Sequence, residues 1–410
     1  MPRRISVALI VWALLAVSCG SDDPAPTSSV TSSRNETTSA TDVSAGGEPP
    51  SDPGPAPTDG GTSVQPDDDP VTGPTEMTST VSDSPASTAA ATEESPVTEP
   101  APDAPTTTAY SGPVSPVTGL PVENVDLVDR KLLAVKMDNH RRAQPQSGLE
   151  AADAVYEVVV EGGLTRFIAL FHHSDSEWVG PMRSARPTDW TLVRPLNGVL
   201  LISGGQRWIT RRITSNDVPL IGDTGPPLTA RWNERQAPHN LYVDTYQARR
   251  VANDRGLGRT APPTLFNRGP MNSPEGAVAT QVFFDWSPAV DVAWLWDGQQ
   301  YLRFADGKAH EWRSREGDET GQVSADVLIV LMAERYTACP QGEGSCVPAW
   351  HTVGENRAIV FAEGTYVEGR WRRDRAADRF TITDQRGDRI TVPPGRPWIM
   401  IYPETSSVVW

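Results

Sequence analysis

Runs of apolar residues and segments of alternating apolar and polar residues divide the chain into a polar N-terminal part and a strand-rich remainder. Short apolar runs predict four buried strands early in this remainder, at residues 131–137, 154–160, 166–171 and 199–202. Helical spacing and capping residues predict helices at residues 147–152, 188–196 and 244–256. The last helix has the clearest ends, because Asp244 can cap it and Gly256 can stop it.

After Pro274 the pattern changes to short strands separated by turn dipeptides such as Asp297-Gly298. The predicted strands lie at residues 281–286, 292–296, 300–304, 327–332, 358–361, 365–372, 380–383, 389–392 and 398–402. Mixed strands and helices predict an α/β or α+β first domain with a mixed sheet, and the later strands predict a β-rich C-terminal part. We therefore place the two folded domains at 113–273 and 274–410.

The first 18 residues have the pattern of a secretory signal peptide. A short basic stretch precedes the apolar run 5–15, which is too short to cross a hydrocarbon core of about 30 Å as a helix. Leu15-Ala-Val-Ser-Cys19 resembles the lipobox of bacterial lipoproteins, although the pattern prefers Leu at the position of Ala16. Lipid chains such as palmitate on Cys19 would anchor the protein at the extracytoplasmic face of the cell membrane. The alternative is ordinary cleavage that leaves Cys19 unmodified.

Residues 19–112 have the composition of a disordered tether. No Phe, Trp or Tyr occurs between Gly20 and Ala109, so this stretch cannot bury enough apolar surface to fold. It is also acidic, because 16 acidic side chains and one basic side chain lie within 20–115. Residues 116–410 are therefore nearly neutral, although the whole chain carries a net charge of -16. A neutral folded part argues against nucleic acid as a partner.

The cysteine content fits export. Besides Cys19, the chain contains only Cys339 and Cys346, with six residues between them. In an exported protein such a pair indicates a disulfide that closes a small loop. A zinc site is the alternative, but no His or second Cys pair stands nearby in the sequence. We predict the disulfide, no bound metal and no other cofactor.

Polar residues cluster in three segments of the first domain where a plain core would not place them: after the first strand, around the second and third strands with the loop that follows, and before the last helix. The candidate ligand-binding residues are Asp138, Glu161, Arg166, Arg183, Arg186 and Asn240. The candidate catalytic residues are Ser184, His239, His140 and Glu157. Arginines can fork onto a carboxylate or phosphate of a ligand. Alternatively, they pair with acidic residues of the protein itself.

Each catalytic hypothesis has a structural alternative. Ser184 could be a nucleophile with His140 or His239 as its base, or it could simply bond a turn. Glu157 and Glu161 could form a carboxylate pair if the second strand continues beyond residue 160. An Asp-x-His sequence such as that at 138–140 is found in metal sites, acid–base pairs and hydrogen-bonded turns. No spacing among these residues matches a known metal, phosphate-loop or nucleophile motif.

Longer motifs resemble the YerB-like bacterial lipoproteins, a family defined by a two-part domain of unknown function. The matching segments lie at residues 116–121, 137–140, 143–149, 152–157, 161–166, 180–187, 238–242, 369–371 and 394–398. The resemblance covers about residues 116–405 and implies a membrane-anchored envelope protein of α/β architecture. It implies no reaction and no catalytic residue.

Three functions are compatible with these observations. The first is an envelope lipoprotein whose polar cleft binds an anionic cell-wall ligand or a partner protein. The second is an envelope hydrolase or transferase that uses Ser184 or a carboxylate with His239 or His140. The third is an accessory subunit in which the charged residues only pair with one another. We expect the first, because no catalytic spacing is present.

Overall fold

The computed structural model describes residues 110–257 and 259–410. The predicted signal peptide, Cys19 and nearly all of the predicted tether lie outside these residues. The helices are α1 (Val125–Val128), α2 (Asp189–Val193), α3 (Arg207–Thr214) and α4 (Thr245–Asp254). The strands before residue 274 are β1 (Leu133–Asp138), β2 (Ala154–Val159), β3 (Thr165–Phe171), β4 (Val199–Leu201), β5 (Leu220–Ile221), β6 (Thr229–Arg231) and β7 (Leu241–Val243).

Fifteen further strands follow in the second half of the described chain. They are β8 (Gln281–Ser287), β9 (Val290–Trp296), β10 (Tyr301–Ala305), β11 (Lys308–Ala309), β12 (Glu311–Arg313), β13 (Thr320–Gln322), β14 (Ser324–Ala325), β15 (Val327–Ala333), β16 (Arg335–Ala338), β17 (Val347–Trp350), β18 (Gly354–Ala362), β19 (Thr365–Arg373), β20 (Thr381–Asp384), β21 (Pro397–Pro403) and β22 (Val408–Val409).

A mixed sheet of ten strands forms the centre of the fold, in the order β20-β19-β18-β15-β21-β2-β3-β1-β4-β5. Its parallel pairs are β1/β4, β4/β5, β2/β21 and β15/β21. Five of the strands precede residue 274 and five follow it. The two groups form one continuous sheet, because β21 pairs with β2. This mixed sheet and the β-rich C-terminal part confirm the predicted fold class.

The central strands are buried on both faces, which explains their continuous apolar sequences. Every residue of β1, β2, β3, β15 and β21 is buried. A second, six-stranded sheet, formed by β8–β11, β14 and β22, contributes aromatic side chains to this core. Trp294 of β9 packs edge-on against Trp398 of β21, with ring centroids 5.1 Å apart, and Trp286 packs against Tyr402 at 4.8 Å.

Most of the predicted elements occur, but two do not, and several observed elements were not predicted. The predicted helix at 147–152 is wrong: Ser147 instead pairs with Gly180, and Gly148 has a φ of +87°, which a right-handed helix does not allow. The predicted strand at 389–392 forms only isolated bridges. Among the elements that were not predicted, helix α3 begins at Arg207, two residues after Gly205.

The predicted disulfide between Cys339 and Cys346 is confirmed and closes the loop between β16 and β17. This loop contacts the start of α3, because the Ser345 backbone N–H donates to Oε1 of Gln206 at 2.8 Å. Within the described ranges, no helix is long and apolar enough to cross a membrane.

Candidate functional site

The candidate site lies at the edge of the large sheet where β1, β2 and β4 end. These three strands run in the same direction, and β3 runs against them and begins at this edge. In open α/β sheets, ligands bind outside the carboxyl ends of parallel strands. Asp138 is the last residue of β1, Glu161 follows β2, and Arg166 is the second residue of β3. The sheet therefore brings these three predicted residues to one edge.

Strand alternation divides the predicted residues between the two faces of the sheet. Asp138 is paired in register with Arg166, whereas Glu157 is paired with Phe167, one position further along β3. Because successive side chains of a strand point to opposite faces, Arg166 and Glu157 lie on different faces. The two carboxylates Glu157 and Glu161 thus do not form a pair on one strand face, since β2 ends at Val159.

The segment that carries Arg183 and Arg186 is fixed against the end of β1 by backbone hydrogen bonds. The Asp138 N–H donates to the carbonyl of Pro181 at 2.8 Å, and the Arg183 N–H donates to the carbonyl of Lys136 at 2.8 Å. Further along, the Arg186 N–H donates to Oδ2 of Asp189 at 2.7 Å. This anchoring places two arginines next to Arg166 of the neighbouring strand.

Three cations of this edge have carboxylate partners. Nζ of Lys136 lies 2.7 Å from Oδ1 of Asp189, and both side chains are fully buried. Nε of Arg186 lies 2.7 Å from Oε1 of Glu161. Arg183 is nearest to the carboxylate of Asp138, with Nε 3.2 Å from Oδ2. Arg183 and Arg186 therefore pair with acidic residues of the protein itself, which was the alternative to ligand binding.

Arg166 is different, because it has no carboxylate partner. Only 8% of this residue is exposed, and within residues 110–257 and 259–410 no carboxylate oxygen lies within 4.0 Å of its guanidinium. Its Nη1 donates to the backbone carbonyl of Ser184 at 2.8 Å. Burial, followed by the nearby charges of Arg186 and Arg183, lowers the pKa of Arg166 to about 10, although the charges of Glu161 and Asp138 act in the opposite direction. The site therefore holds one buried guanidinium that makes no direct ion pair.

A histidine pair lies beside this cluster. Nδ1 of His239 is 2.6 Å from Oδ2 of Asp138, so Nδ1 carries a proton and Nε2 is available as a base when the ring is neutral. The rings of His239 and His140 stack with centroids 4.6 Å apart. Burial, followed by the charge of His239, lowers the pKa of His140. Arg235 anchors the loop between β6 and β7, which carries His239, because its Nη2 donates to the carbonyl of Pro145 at 2.5 Å.

Two other predicted residues make different contacts. Ser184 contributes its backbone carbonyl, which accepts from Arg166 and, at 3.4 Å, from Arg186. Its hydroxyl forms no hydrogen bond to any residue that the structure describes. Asn240 supports its own loop: its Oδ1 accepts from Arg231 at 3.0 Å, and its Nδ2 donates to the carbonyl of Arg235 at 3.1 Å.

Glu157 is enclosed on the opposite face of the sheet. Its Oε1 accepts from Nη2 of Arg303 and from the hydroxyl of Thr165, each at 2.8 Å. Its Oε2 accepts from the indole N–H of Trp398 at 2.7 Å. The Glu157 and Arg303 side chains are both fully buried, so this carboxylate is a partner of Arg303 and has no free oxygen for a substrate.

The same network continues to a buried histidine. Nη1 of Arg303 donates to Nδ1 of His310, so the proton of this ring is on Nε2, which donates to Oε1 of Gln146 at 2.7 Å. Burial and the charge of Arg303 hold the pKa of His310 well below its usual range. Nε2 of Gln146 donates to Oδ1 of Asn139 at 3.2 Å, which connects the network to the end of β1. These contacts join residues before and after position 274.

Two domain profiles described as "Protein of unknown function (DUF3048)" match the chain, the N-terminal domain at residues 117–258 and the C-terminal domain at 280–399. The chain belongs to the DUF3048 family. A relative from Bacillus subtilis (strain 168), named "Putative lipoprotein YerB", is 26% identical over 298 residues, which cover 71% of this chain and 86% of that protein. The crystal structure of YerB from Bacillus subtilis is similar, with a TM-score of 0.62 and 24% identity over 72% of this chain and 99% of the other.

These findings confirm the resemblance to YerB-like proteins, but they assign no ligand or reaction to the DUF3048 fold. Sequence reasoning missed Lys136, Arg303 and His310 as members of the polar clusters. Lys136 and Arg303 did leave a signal, since each is a charged residue inside an apolar strand. Their pairing with Asp189 and Glu157 left no signal, because these partners lie 53 and 146 residues away along the chain.

Proposed function

We propose that this DUF3048 protein is a membrane-anchored lipoprotein of the extracytoplasmic face that binds an anionic envelope ligand at the Arg166 edge. The ligand would be a cell-wall component or an acidic segment of a partner protein. The observation that carries this proposal is the buried guanidinium of Arg166 without a carboxylate partner. A buried cation is costly unless it is paired, and a ligand anion would supply the missing partner.

The surrounding charges support an anion rather than a cation as ligand. The carboxylates of Asp138, Glu161 and Asp189 are each engaged with a basic side chain. A cationic ligand would have to displace one of these partners, whereas an anion would meet Arg166 directly.

The binding test uses residues 19–410 with Cys19→Ser, which keeps the tether but prevents acylation. Isothermal titration with citrate and with inorganic phosphate measures affinity for the two common anion types. Arg166→Gln should weaken binding of at least one of them about tenfold or more, since a charge-assisted hydrogen bond contributes about 1.5–3 kcal/mol. Arg250→Gln, which removes an exposed charge on α4, should leave the affinity unchanged. Equal affinities for the parent chain and Arg166→Gln would refute the binding proposal.

The proposed anchor is supported by the lipobox-like sequence at residues 15–19 and by the name of the relative YerB. Cells grown with a palmitate analogue should label the full-length protein and retain it in the membrane fraction. Cys19→Ala should lose the label and leave that fraction. A labelled Cys19→Ala variant would contradict acylation at this residue.

The second candidate function is an envelope hydrolase or transferase. The 2.6 Å contact between His239 and Asp138 favours it, because a carboxylate that orients a histidine is typical of general-base sites. Ser184 or a carboxylate would then act as the nucleophile. Turnover of isolated peptidoglycan or of a chromogenic ester should be lost in both Ser184→Ala and His239→Ala if Ser184 acts. Absence of turnover by the parent chain on both substrates would favour binding alone.

A further inference from the structure

We infer that a cleft at the carboxyl ends of β2, β21 and β15 binds a short peptide with a free ammonium and a free carboxylate group, which Glu334, Arg335 and Trp286 recognise. The cleft lies on the same edge of the large sheet as the Arg166 site, but on the β21 side of β2, whereas β3 and β1 lie on the other side. It uses none of the residues assigned to the Arg166 site, so this inference does not rest on the proposed function.

The position of the cleft follows from the parallel part of the sheet. β2, β21 and β15 are neighbours that run in the same direction, and Ala333 at the end of β15 is paired with Pro403 at the end of β21. Beyond these ends the chain leads to different parts of the fold: from β2 to β3, from β15 to the hairpin of β16 and β17, and from β21 to β22 of the six-stranded sheet. Ligands bind in crevices outside the carboxyl ends of parallel strands.

The cleft has the size and lining of a site for a small organic ligand. Its volume is about 520 Å³, within the range of roughly 300–1,000 Å³ that is typical of such sites. The buried side chains of Trp286 from β8 and Trp350 from β17 line it, together with the exposed residues Glu334, Arg335 and Glu404. A single inorganic ion would leave most of this volume empty, since one water molecule occupies only about 30 Å³ in the liquid.

Two carboxylates stand side by side at the end of the parallel pair β15/β21. Glu334 directly follows Ala333 and Glu404 directly follows Pro403, so the two glutamates occupy corresponding positions on neighbouring strands. The Glu404 N–H donates to the carbonyl of Ala333 at 3.1 Å, which holds this register. Among the described residues, the carboxylate of Glu334 has no partner, and that of Glu404 accepts only from Nδ2 of Asn356, at 2.7 Å. Like charges on adjacent strands repel, and an ammonium group would be attracted by both.

A carboxylate group would meet two donors in the same cleft. Arg335 is exposed and forms no ion pair with any carboxylate in the described part of the chain. Trp286 is only 2% exposed, and its indole N–H has no acceptor within residues 110–257 and 259–410, which is costly for a buried donor. The indole N–H of Trp350, by contrast, donates to the carbonyl of Val159 at 2.9 Å. The cleft therefore offers unused groups of both signs, which is the complement of a zwitterion.

Three peptides test the two charged ends separately: trialanine, N-acetyltrialanine, which lacks the ammonium group, and trialanine amide, which lacks the carboxylate. In isothermal titration of residues 19–410 carrying Cys19→Ser, trialanine should bind at least tenfold more tightly than either derivative, since each derivative loses a charge-assisted interaction. Similar affinities for all three peptides, or no binding of trialanine, would refute the inference.

Variants of the cleft should change these affinities selectively. Glu334→Gln should weaken the binding of trialanine and its amide about five- to tenfold but leave N-acetyltrialanine unaffected, and Arg335→Gln should weaken trialanine and N-acetyltrialanine but not the amide. Trp286→Phe keeps an aromatic ring but removes the N–H group, so it should act like Arg335→Gln. Glu275→Gln and Arg250→Gln, which remove exposed charges outside the cleft, should change none of the affinities.

The selectivity does not depend on whether Trp286→Phe folds, because Glu334 and Arg335 are exposed and their substitution leaves the core intact. If Glu334→Gln and Arg335→Gln bind all three peptides as the parent chain does, the cleft is not the peptide site. Arg166→Gln should not alter the affinity for trialanine. A loss of trialanine binding in Arg166→Gln alone would overturn this inference and support the proposed anion site, whereas unchanged citrate and phosphate binding in Arg166→Gln would refute only the proposed function.

Discussion

Replacing Arg166 with methionine should stabilise the fold while it abolishes anion binding. Methionine has a similar length and is apolar, so it can occupy the same buried space. The expectation follows from the structure, because Arg166 is a buried cation that forms no direct ion pair with a carboxylate of the described residues. Residues retained for a ligand at the expense of stability are typical of binding sites.

The magnitude follows from two opposing contributions. The folded state lowers the pKa of Arg166 from 12.5 to about 10, which at about 1.4 kcal/mol per pH unit destabilises the charged side chain by about 3 kcal/mol. The hydrogen bond to the carbonyl of Ser184 offsets this cost by stabilising the side chain by about 1.5–3 kcal/mol. That carbonyl keeps a second donor, Arg186, at 3.4 Å. We expect a net gain of about 1 kcal/mol for Arg166→Met, which applies at every pH below about 10 because the folded pKa is the lower one.

Urea unfolding followed by tryptophan fluorescence measures this difference, and urea is preferable to guanidinium because it adds no ions. Thermal unfolding should shift upward by about 1–3 °C in a folded part of this size. Arg250→Met, on the exposed face of α4, is the control for loss of a positive charge and should change stability by less than about 0.5 kcal/mol.

A loss of about 2 kcal/mol or more in Arg166→Met, without such a loss in Arg250→Met, would contradict this expectation. Arg166 would then be a structural residue whose existing contacts outweigh its burial. That result would also favour an accessory subunit without a small-molecule site over the anion-binding function.

Three further predictions concern stability. Arg303→Met should cost about 3–5 kcal/mol because it leaves Glu157 buried and unpaired, and adding Glu157→Leu should restore part of this loss; additive effects in urea unfolding would contradict the pairing. Burial lowers the pKa of His172 to about 4, so stability should fall by roughly 3 kcal/mol as the pH drops from 6.5 to 4, because only the unfolded chain takes up this proton. His172→Gln should flatten that decrease, and an unchanged pH profile would exclude His172 as its source. Reduction of the Cys339–Cys346 disulfide should lower stability by about 2 kcal/mol for a loop of this size, whereas the double serine variant should not respond to reductant.

Much of the fold could be predicted from the sequence, because apolar runs and capping residues are local patterns that mark strands and helix ends. The apolar runs at 131–137, 154–160 and 166–171 mark strands that are buried on both faces, and such strands need apolar residues at every position. The capping residue Asp244 marks the start of α4 for an equally local reason, since its side chain accepts from the Gln247 N–H at 3.1 Å.

Two segments show where local patterns did not suffice. The segment 147–152 has helical composition, but its backbone hydrogen bonds go to a distant partner, Gly180, and Gly148 adopts a positive φ. In the segment 147–152, tertiary contacts therefore outweighed the intrinsic helical preference. Helix α3 does carry buried Ile209 and Ile213 at helical spacing, but it has only eight residues and follows two glycines, and this signal was overlooked.

For the candidate site, the sequence by itself determined which residue types are unusual in their context: an aspartate at a strand end, arginines next to glycine-containing turns, and a histidine after Pro238. Tertiary structure alone decided their partners. Register placed Asp138 beside Arg166 and turned Glu157 to the other face, towards Arg303, and a loop 101 residues away brought His239 to Asp138. These distances depend on strand pairing and burial, which are determined by the free energy of the whole fold. They therefore cannot be read from any stretch of neighbouring residues.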